Sequence, residues 1–437
     1  MNQKLSILFL TVLIPFLFSS GSEAAGTKAV KKAPSPVISA QKSKESVNPL
    51  MSDPAYKNYI AFFEQIYKVM QDNYYQPVKQ EEFDRFVGVF NKKIYAQLKE
   101  TGKSIDFIKW RSAAFLVDFL KSKEDIFSAL FPPAPAKEYK QTALGQRIDI
   151  GIEGHKTPQG YVVDKIEPRS DSYIKGLREQ DMILALETQK VSGLEDAKIH
   201  DFLNPLINSE VRIDYQCAAD QQCKQIKVKS QEYFKQTVFP FPTILPQVYG
   251  LKVENFNRMT SEDMLRFMEY FRQKGEIKGL ILDMRNNPGG PPLSAREISS
   301  FFLPGGDQFA YFHKKGFEPG IMDVPVIPER FKYHGPLVIW INKQSGSASE
   351  LFSGILQRKG RAVLMGANSA GQVMLKSMFN LDDGSMLLLI TARGYHADGI
   401  PFSFEGLTPD KTGETDDELM ENSLKYIEYI NVKKIKI

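Results

Sequence analysis

Residues 279–290 read Gly279-Leu-Ile-Leu-Asp283-Met-Arg285-Asn-Asn287-Pro-Gly-Gly290, and residues 337–350 read Leu337-Val-Ile-Trp-Ile341-Asn-Lys-Gln-Ser-Gly-Ser347-Ala-Ser-Glu350. Each is an apolar run that stops in a turn of Gly, Asn, Pro or Ser. A strand apolar along most of its length is covered on both faces, as in a parallel sheet. Strands and helices alternate around these two runs: Val248 to Val253, Ser261 to Gly275, Gly279 to Met284, Ser294 to Leu303, Pro336 to Ile341, Ser347 to Lys359, with a last amphipathic helix from Asp416 to Tyr429. The expected core is α/β with a largely parallel sheet.

Upstream the period changes. Ile148, Ile150 and Ile152 alternate with Asp149, Gly151 and Glu153, the two-residue period of a strand. Further strands at Gly160 to Ile166 and Asp181 to Leu186, a helix at Leu194 to Leu206, and strands at Val211 to Gln216 and Lys224 to Val228 make a small β module. Earlier still, Tyr59, Phe62, Phe63, Ile66, Tyr67 and Met70 recur at helical spacing, as do residues from Phe83 to Leu98 and Ile105 to Leu130, up to the cluster Pro132 to Pro135. The chain therefore divides into a leader (1–25), a linker (26–52), a helical region (53–140), a β module (141–232) and a core (233–437), an α/β chain of α+β multidomain type.

With 437 residues, 42% apolar and 25% charged, the composition is that of a modular globular protein. Its net charge of +4 comes from interleaved Lys, Arg, Asp and Glu, not from basic blocks, so no nucleic-acid partner is expected. Lys4, the apolar stretch Leu5 to Phe18 and the small residues Ser19 to Ala25 have the order of a secretory signal peptide, with cleavage after Ala24 or Ala25. The expected location is the periplasm or outside the cell, with no transmembrane segment in the mature chain. The Lys, Ser, Pro and Ala composition of Gly26 to Ser52 reads as a tether. Cys217 and Cys223 can close across a hairpin if their Cβ atoms face each other; free thiols are the alternative, and without nearby His no metal site is expected.

A serine at a strand-to-helix turn is exposed, and the helix N-terminus favours developing negative charge. Ser347-Ala-Ser-Glu350 also reads as a capping box, which would give Ser347 a purely structural task. Gly289 and Gly290, after a buried strand, allow close backbone approach to a ligand.

Taken with their spacing, Gly279 to Gly290, Ser347 to Glu350, Gly360-Arg-Ala362 and Gly366 resemble the carboxyl-terminal processing, or tail-specific, serine proteases. Gly151-Ile-Glu153, Gly160-Tyr-Val-Val163, Ile166-Glu-Pro168, Lys175-Gly-Leu177 and Gln180-Asp-Met-Ile183 resemble that family's inserted PDZ domain. Phe63 to Tyr67 with Asn73-Tyr-Tyr75 resembles its N-terminal helices, and Asp383-Gly384, Thr391-Ala-Arg393 and Gly406 to Asp410 its closing strands. The resemblance implies Ser347 as nucleophile, the N–H of Ala348 and one from Gly289 or Gly290 as the oxyanion hole, no metal or cofactor, and unfolded protein C-terminal tails as substrate. Ile148, Ile150, Gly151 and Ile152 would then bind a tail by strand addition, its carboxylate held by backbone N–H groups. The family's general base is a Lys after a Gly, often followed by a Gln four residues on. Here Gly371 precedes Gln372 and the later residue is Lys376, so the two types stand exchanged. Gln cannot act as base. Three outcomes follow: a rearranged Ser347, Lys376 and Gln372 group, another base such as His396, or a catalytically inactive chain that binds peptides as a scaffold. Adaptor or oligomer partners stay open.

Overall fold

The structure, a computed structural model, describes residues 54–91, 100, 104–123, 125–143, 145–314 and 316–435. The expected leader and tether lie outside the described residues. Among the described residues no helix is long and apolar enough to cross a membrane.

Helices α1 (Pro54–Asn73), α2 (Gln80–Val89) and α3 (Ile105–Leu120) follow the aromatic spacing. Phe63 meets Phe86 and Phe90 edge to face at 5.6 and 5.0 Å, contacts worth roughly 0.5–1.5 kcal/mol each beyond area burial. The helices do not close a core alone: Leu387, Leu389 and Ile390, far downstream, complete it. Strand β1 (Ala129–Phe131) and α4 (Pro133–Ala143) lead onward.

The module comprises β2 (Gln146–Asp149), β3 (Ile152–Lys156), β4 (Tyr161–Ile166), α5 (Asp171–Ile174), β5 (Met182–Leu186), β6 (Gln189–Lys190), α6 (Asp196–Leu203), β7 (Glu210–Gln216), β8 (Cys223–Lys229) and β9 (Gln231–Phe234). Its sheet runs β3-β4-β5-β7-β8 with β6 on β5, while β2 pairs with β9. Thus β3 is an edge strand, and α6 packs Ile199 and Leu203 into the same core as Ile152.

Two expectations fail here. The strand expected from Ile148 to Ile152 is broken. Ile148 pairs with Glu232 in one sheet, Ile152 with Ile166 in another, and Gly151 between them has φ +78°. A Cβ at Gly151 would lie 2.1 Å from Ser170 Cβ, so only glycine turns this corner. The cysteines are free thiols. Cys223 stands opposite Gln216, one residue short of Cys217. Successive strand residues point to opposite faces, so Cys217 lies over the core while Cys223 is exposed on the outer face. The one-residue offset turns the thiols apart.

The core adds β10 (Val238–Phe241), β11 (Val248–Val253), α7 (Thr260–Gln273), β12 (Gly279–Asp283), α8 (Pro292–Ser299), β13 (Gln308–His313), β14 (Gly320–Asp323), β15 (Leu337–Ile341), α9 (Ala348–Arg358), β16 (Val363–Gly366), β17 (Met374–Asn380), β18 (Met386–His396), β19 (Lys411–Thr412) and α10 (Asp416–Ile435). One sheet has the order β10-β11-β12-β15-β16-β19, parallel except for β10. Leu280 and Leu282 face α7, α8 and α9, while Ile281 faces α10. A second, antiparallel sheet runs β1-β18-β13-β14, with β17 beside β18. It lies between the helical region and the core, sending Ala392 to the core and Leu387 and Leu389 to the helices. The multidomain α/β class is as expected.

Candidate active site

The turns after β12 and β15 are laced together. Asn286 and Asn342 exchange hydrogen bonds, N–H to Oδ1 and Nδ2 to Oδ1, each at 2.9 Å. Ser345 Oγ donates to Met284 O at 2.9 Å, and Gly346 N donates to Asn287 O at 2.9 Å. Two strand ends that are parallel neighbours thus present their turns as one surface. Gly289 is pressed onto Ser347: a Cβ at 289 would sit 2.8 Å from Ser347 Cβ and 2.8 Å from Ala348 N. Either Gly289 or Gly290 was the expected second oxyanion donor; Gly289 N–H is spent on Asn287 Oδ1 at 2.8 Å. The N–H groups of Gly290 and Ala348 have no acceptor among the described residues.

Ser347 itself has φ +54° and ψ −116°. The serines that cap α3 and α5, Ser104 and Ser170, have φ −62° and −77° with extended ψ, the ordinary N-cap conformation. A cap does not need the left-handed region, which costs a non-glycine residue on the order of 1–3 kcal/mol.

Glu350, buried in the first turn of α9, is the organising carboxylate. It accepts from Ser347 N (2.9 Å), Gly371 N (2.6 Å), Gln372 N (2.7 Å) and Ser369 Oγ (2.6 Å). Desolvation raises its pKa, and these four donors oppose that rise. The capping-box glutamate therefore also pins the 369–372 loop against Ser347. An apolar notch of ≈ 10 Å³ adjoins the serine, walled by Pro292, Phe312, Leu351, Val373 and Leu375.

Of the expected catalytic group, Gln372 precedes β17, with its Oε1 3.8 Å from where a Gly346 Cβ would lie. Lys376 is not on the surface. It is 1% exposed, opposite Ile390, with Nζ 4.0 Å from the centroid of the Phe127 ring. Its pKa falls to about 8, mainly through burial, with Asp125 and then Glu350 pushing back up. The expectation that Gln372 and Lys376 share a strand face fails, since Gln372 is outside the strand and the pairing shifts between Leu375 and Lys376. His396 stacks on Phe402 at 3.8 Å, and its pKa falls to about 4 through burial and then Arg358. Phe402 in turn packs against Gly354 of α9, seven residues on from Ser347, about 10 Å of helix at 1.5 Å per residue.

A groove of ≈ 840 Å³ runs between edge strand β3 and α6, lined among others by Ile152, Lys156, Ile199, Leu203 and Tyr233. Of the residues expected to bind peptide, Gly151 and Ile152 line it. Ile148 is paired in β2, and Ile150 is buried, its N–H donating to Leu203 O at 3.3 Å. Sequence reasoning missed Asp149 and Tyr233 at the head of this groove.

Residues 248–412 match the family described as Peptidase family S41. Curated relatives include "Carboxyl-terminal-processing peptidase 3, chloroplastic" of Arabidopsis thaliana, 24% identical over 308 residues and covering 67% of this chain and 58% of that protein. The "Carboxyl-terminal-processing protease" of Picosynechococcus sp. is 25% identical over 298 residues, covering 65% of this chain and 69% of its own. The "Probable CtpA-like serine protease" of Staphylococcus aureus (strain COL) is 24% identical over 309 residues, covering 70% of this chain and 60% of its own. The chain thus spans 58% to 69% of the length of these relatives. Among solved structures, the "photosystem II D1 C-terminal processing protease" covers 84% of this chain and 97% of its own at 18% identity and TM-score 0.47. The "tricorn protease" covers 87% of this chain and 37% of its own at 15% identity and TM-score 0.48.

Proposed function

We propose that the protein is an exported serine endopeptidase that draws unfolded protein tails into the groove between β3 and α6, a PDZ-like reader, and cleaves them through an acyl-enzyme on Ser347. The observation that carries this reading is the Ser347 backbone. Strain at a strand-to-helix turn is the mark of a positioned nucleophile, and a capping serine has no use for it. Matching the core to a peptidase family supports the same reading. The order of charged, apolar and small residues from Lys4 to Ala25 supports export to the cell envelope.

In this mechanism Ser347 Oγ attacks the scissile carbonyl carbon and its proton passes to the neutral amine of Lys376. The N–H groups of Gly290 and Ala348 donate hydrogen bonds to the developing oxyanion. Collapse breaks the C–N bond, the Lys376 ammonium protonating the departing amine. Water then attacks the ester with Lys376 again as base. The apolar notch takes the side chain beside the scissile bond, and it widens as substrate enters. Lys376 must turn from Phe127 toward Ser347.

A second reading, a tail-binding protein without turnover, is favoured by one pair of observations: an amide stands beside Gly346 and the lysine ammonium lies over Phe127. A fluorophosphonate probe separates the two. An adduct on Ser347 in wild type, lost in Lys376→Ala, supports the peptidase. No adduct in wild type leaves the binding protein.

A further inference from the structure

Capture of a peptide terminus needs backbone N–H groups that are free to meet a carboxylate. At the head of the groove they are already engaged. Ile150 N–H donates to Leu203 O at 3.3 Å, which ties the end of α6 to the loop. Gly151 N–H donates to Asp149 Oδ1 at 2.7 Å. The same oxygen accepts from the Tyr233 hydroxyl, and the Asp149 side chain is almost wholly buried. A carboxylate of the chain itself thus stands where a ligand's carboxylate would have to sit.

Four nearby cations are already paired with carboxylates of the chain, and Lys156, which also lines the groove, donates to Leu194 O. Arg147 and Lys235 both pair with Glu153, Lys165 lies 3.5 Å from Glu254, and Arg169 is bound to Asp263 at 2.6 Å. The acidic Glu167 at this end is itself buried, its carboxylate accepting Gln236 N. Two like charges placed side by side repel, most strongly where water is excluded. What remains free for a ligand is the outer edge of β3 and the apolar floor of Ile152, Ile199 and Leu203.

We propose that Asp149 is a specificity-determining residue that fills the carboxylate seat, so that the groove grips internal extended segments by strand addition instead of free C-termini. This rests on the groove being the substrate reader, as set out above. The substrate class becomes any unfolded apolar segment, whether at a chain end or in a loop.

The test uses the full-length Ser347→Ala protein and fluorescence anisotropy with a twelve-residue unstructured, apolar-ended peptide, as the free acid and as the C-terminal amide. The expected result is that acid and amide bind within about threefold of each other, while Asp149→Asn tightens the acid at least tenfold and leaves the amide unchanged. Amidation that weakens binding tenfold or more before Asp149 is altered overturns the inference and leaves the groove reading standing. Absence of binding by both peptides removes the groove reading and this inference with it. Should Asp149→Asn fail to fold, Asp149→Ser, which keeps a side-chain oxygen near Gly151 N–H without the charge, should shift the ratio toward the acid at least tenfold; an unchanged ratio counts against the inference.

Discussion

Replacing Lys376 by Met should raise stability and abolish chemistry at once. The amine is 1% exposed and its pKa falls from 10.5 to about 8. At 1.36 kcal/mol per unit, holding it charged in the folded state costs about 3 kcal/mol, an order-of-magnitude figure. Because the unfolded chain binds this proton more tightly, stability is lowest below about pH 8 and rises between there and 10.5. Met keeps the length and the contact with Phe127 without the charge. Asp125 retains the Tyr74 hydroxyl at 2.8 Å and the N–H groups of Phe127 and Ser128 at 2.9 and 2.8 Å. Urea unfolding at pH 7 should therefore find Lys376→Met about 1–3 kcal/mol more stable than wild type, with the gain shrinking toward pH 10.5. Phosphonylation of Ser347 should disappear. In wild type its rate should climb through pH 8 and level off above it, roughly tenfold faster at pH 9 than at 7, as the neutral amine fraction dictates. A variant less stable than wild type at pH 7, or one labelled at the wild-type rate, refutes the reasoning.

Ser347→Gly should unfold about 1 kcal/mol later than Ser347→Ala by thermal denaturation, because only glycine is at ease at φ +54°; equal stabilities would mean the turn is unstrained. Glu350→Gln puts an amide donor among four groups that already donate to Glu350, so it should cost roughly 2–4 kcal/mol and slow labelling at least a hundredfold; a loss below 1 kcal/mol in urea would argue against the clamp. The exchange Gln372→Lys with Lys376→Gln should label at least tenfold faster than Lys376→Ala alone, since position 372 lies beside Gly346; equal rates would show that this loop does not present its side chain to Ser347. Alkylation without reductant should add two groups per chain at Cys217 and Cys223, and an unmodified mass would establish a disulfide instead.

The parallel core was legible because β12 and β15 are apolar on both faces and end in turns rich in Gly, Asn and Ser. The helical region was legible because its aromatic spacing matches one face of α1. The second sheet was not. Met386 to Ile390 is an unbroken apolar run in an antiparallel strand, buried between α1–α3 on one face and α4 on the other, so it lacks the alternation that signals such strands. Single-residue parity decided the other misses. Cys217 and Cys223 look closable until the register pairs Cys223 with Gln216. The alternation Ile148, Ile150, Ile152 looks continuous until Ser170, remote in sequence, forces a corner at Gly151. Such contacts are tertiary, and no local pattern encodes them.

The order Gln372 then Lys376, which the resemblance reads as an exchange, has a consequence that depends on Glu350. That carboxylate fixes the backbone of 371 and 372 beside Ser347 and leaves position 376 beyond the shift in strand pairing, toward Phe127. The Gln372 side chain reaches to 3.8 Å from where a Cβ of Gly346, the residue before Ser347, would lie. A side chain at 376 must leave Phe127 to reach the serine. The charged ammonium gains most by leaving its buried site, whereas the neutral amine that serves as base does not, so the desolvation that supplies the neutral form also weakens its drive to move. In the proposed mechanism a substrate must widen the notch at Leu375 to open the route between Lys376 and Ser347.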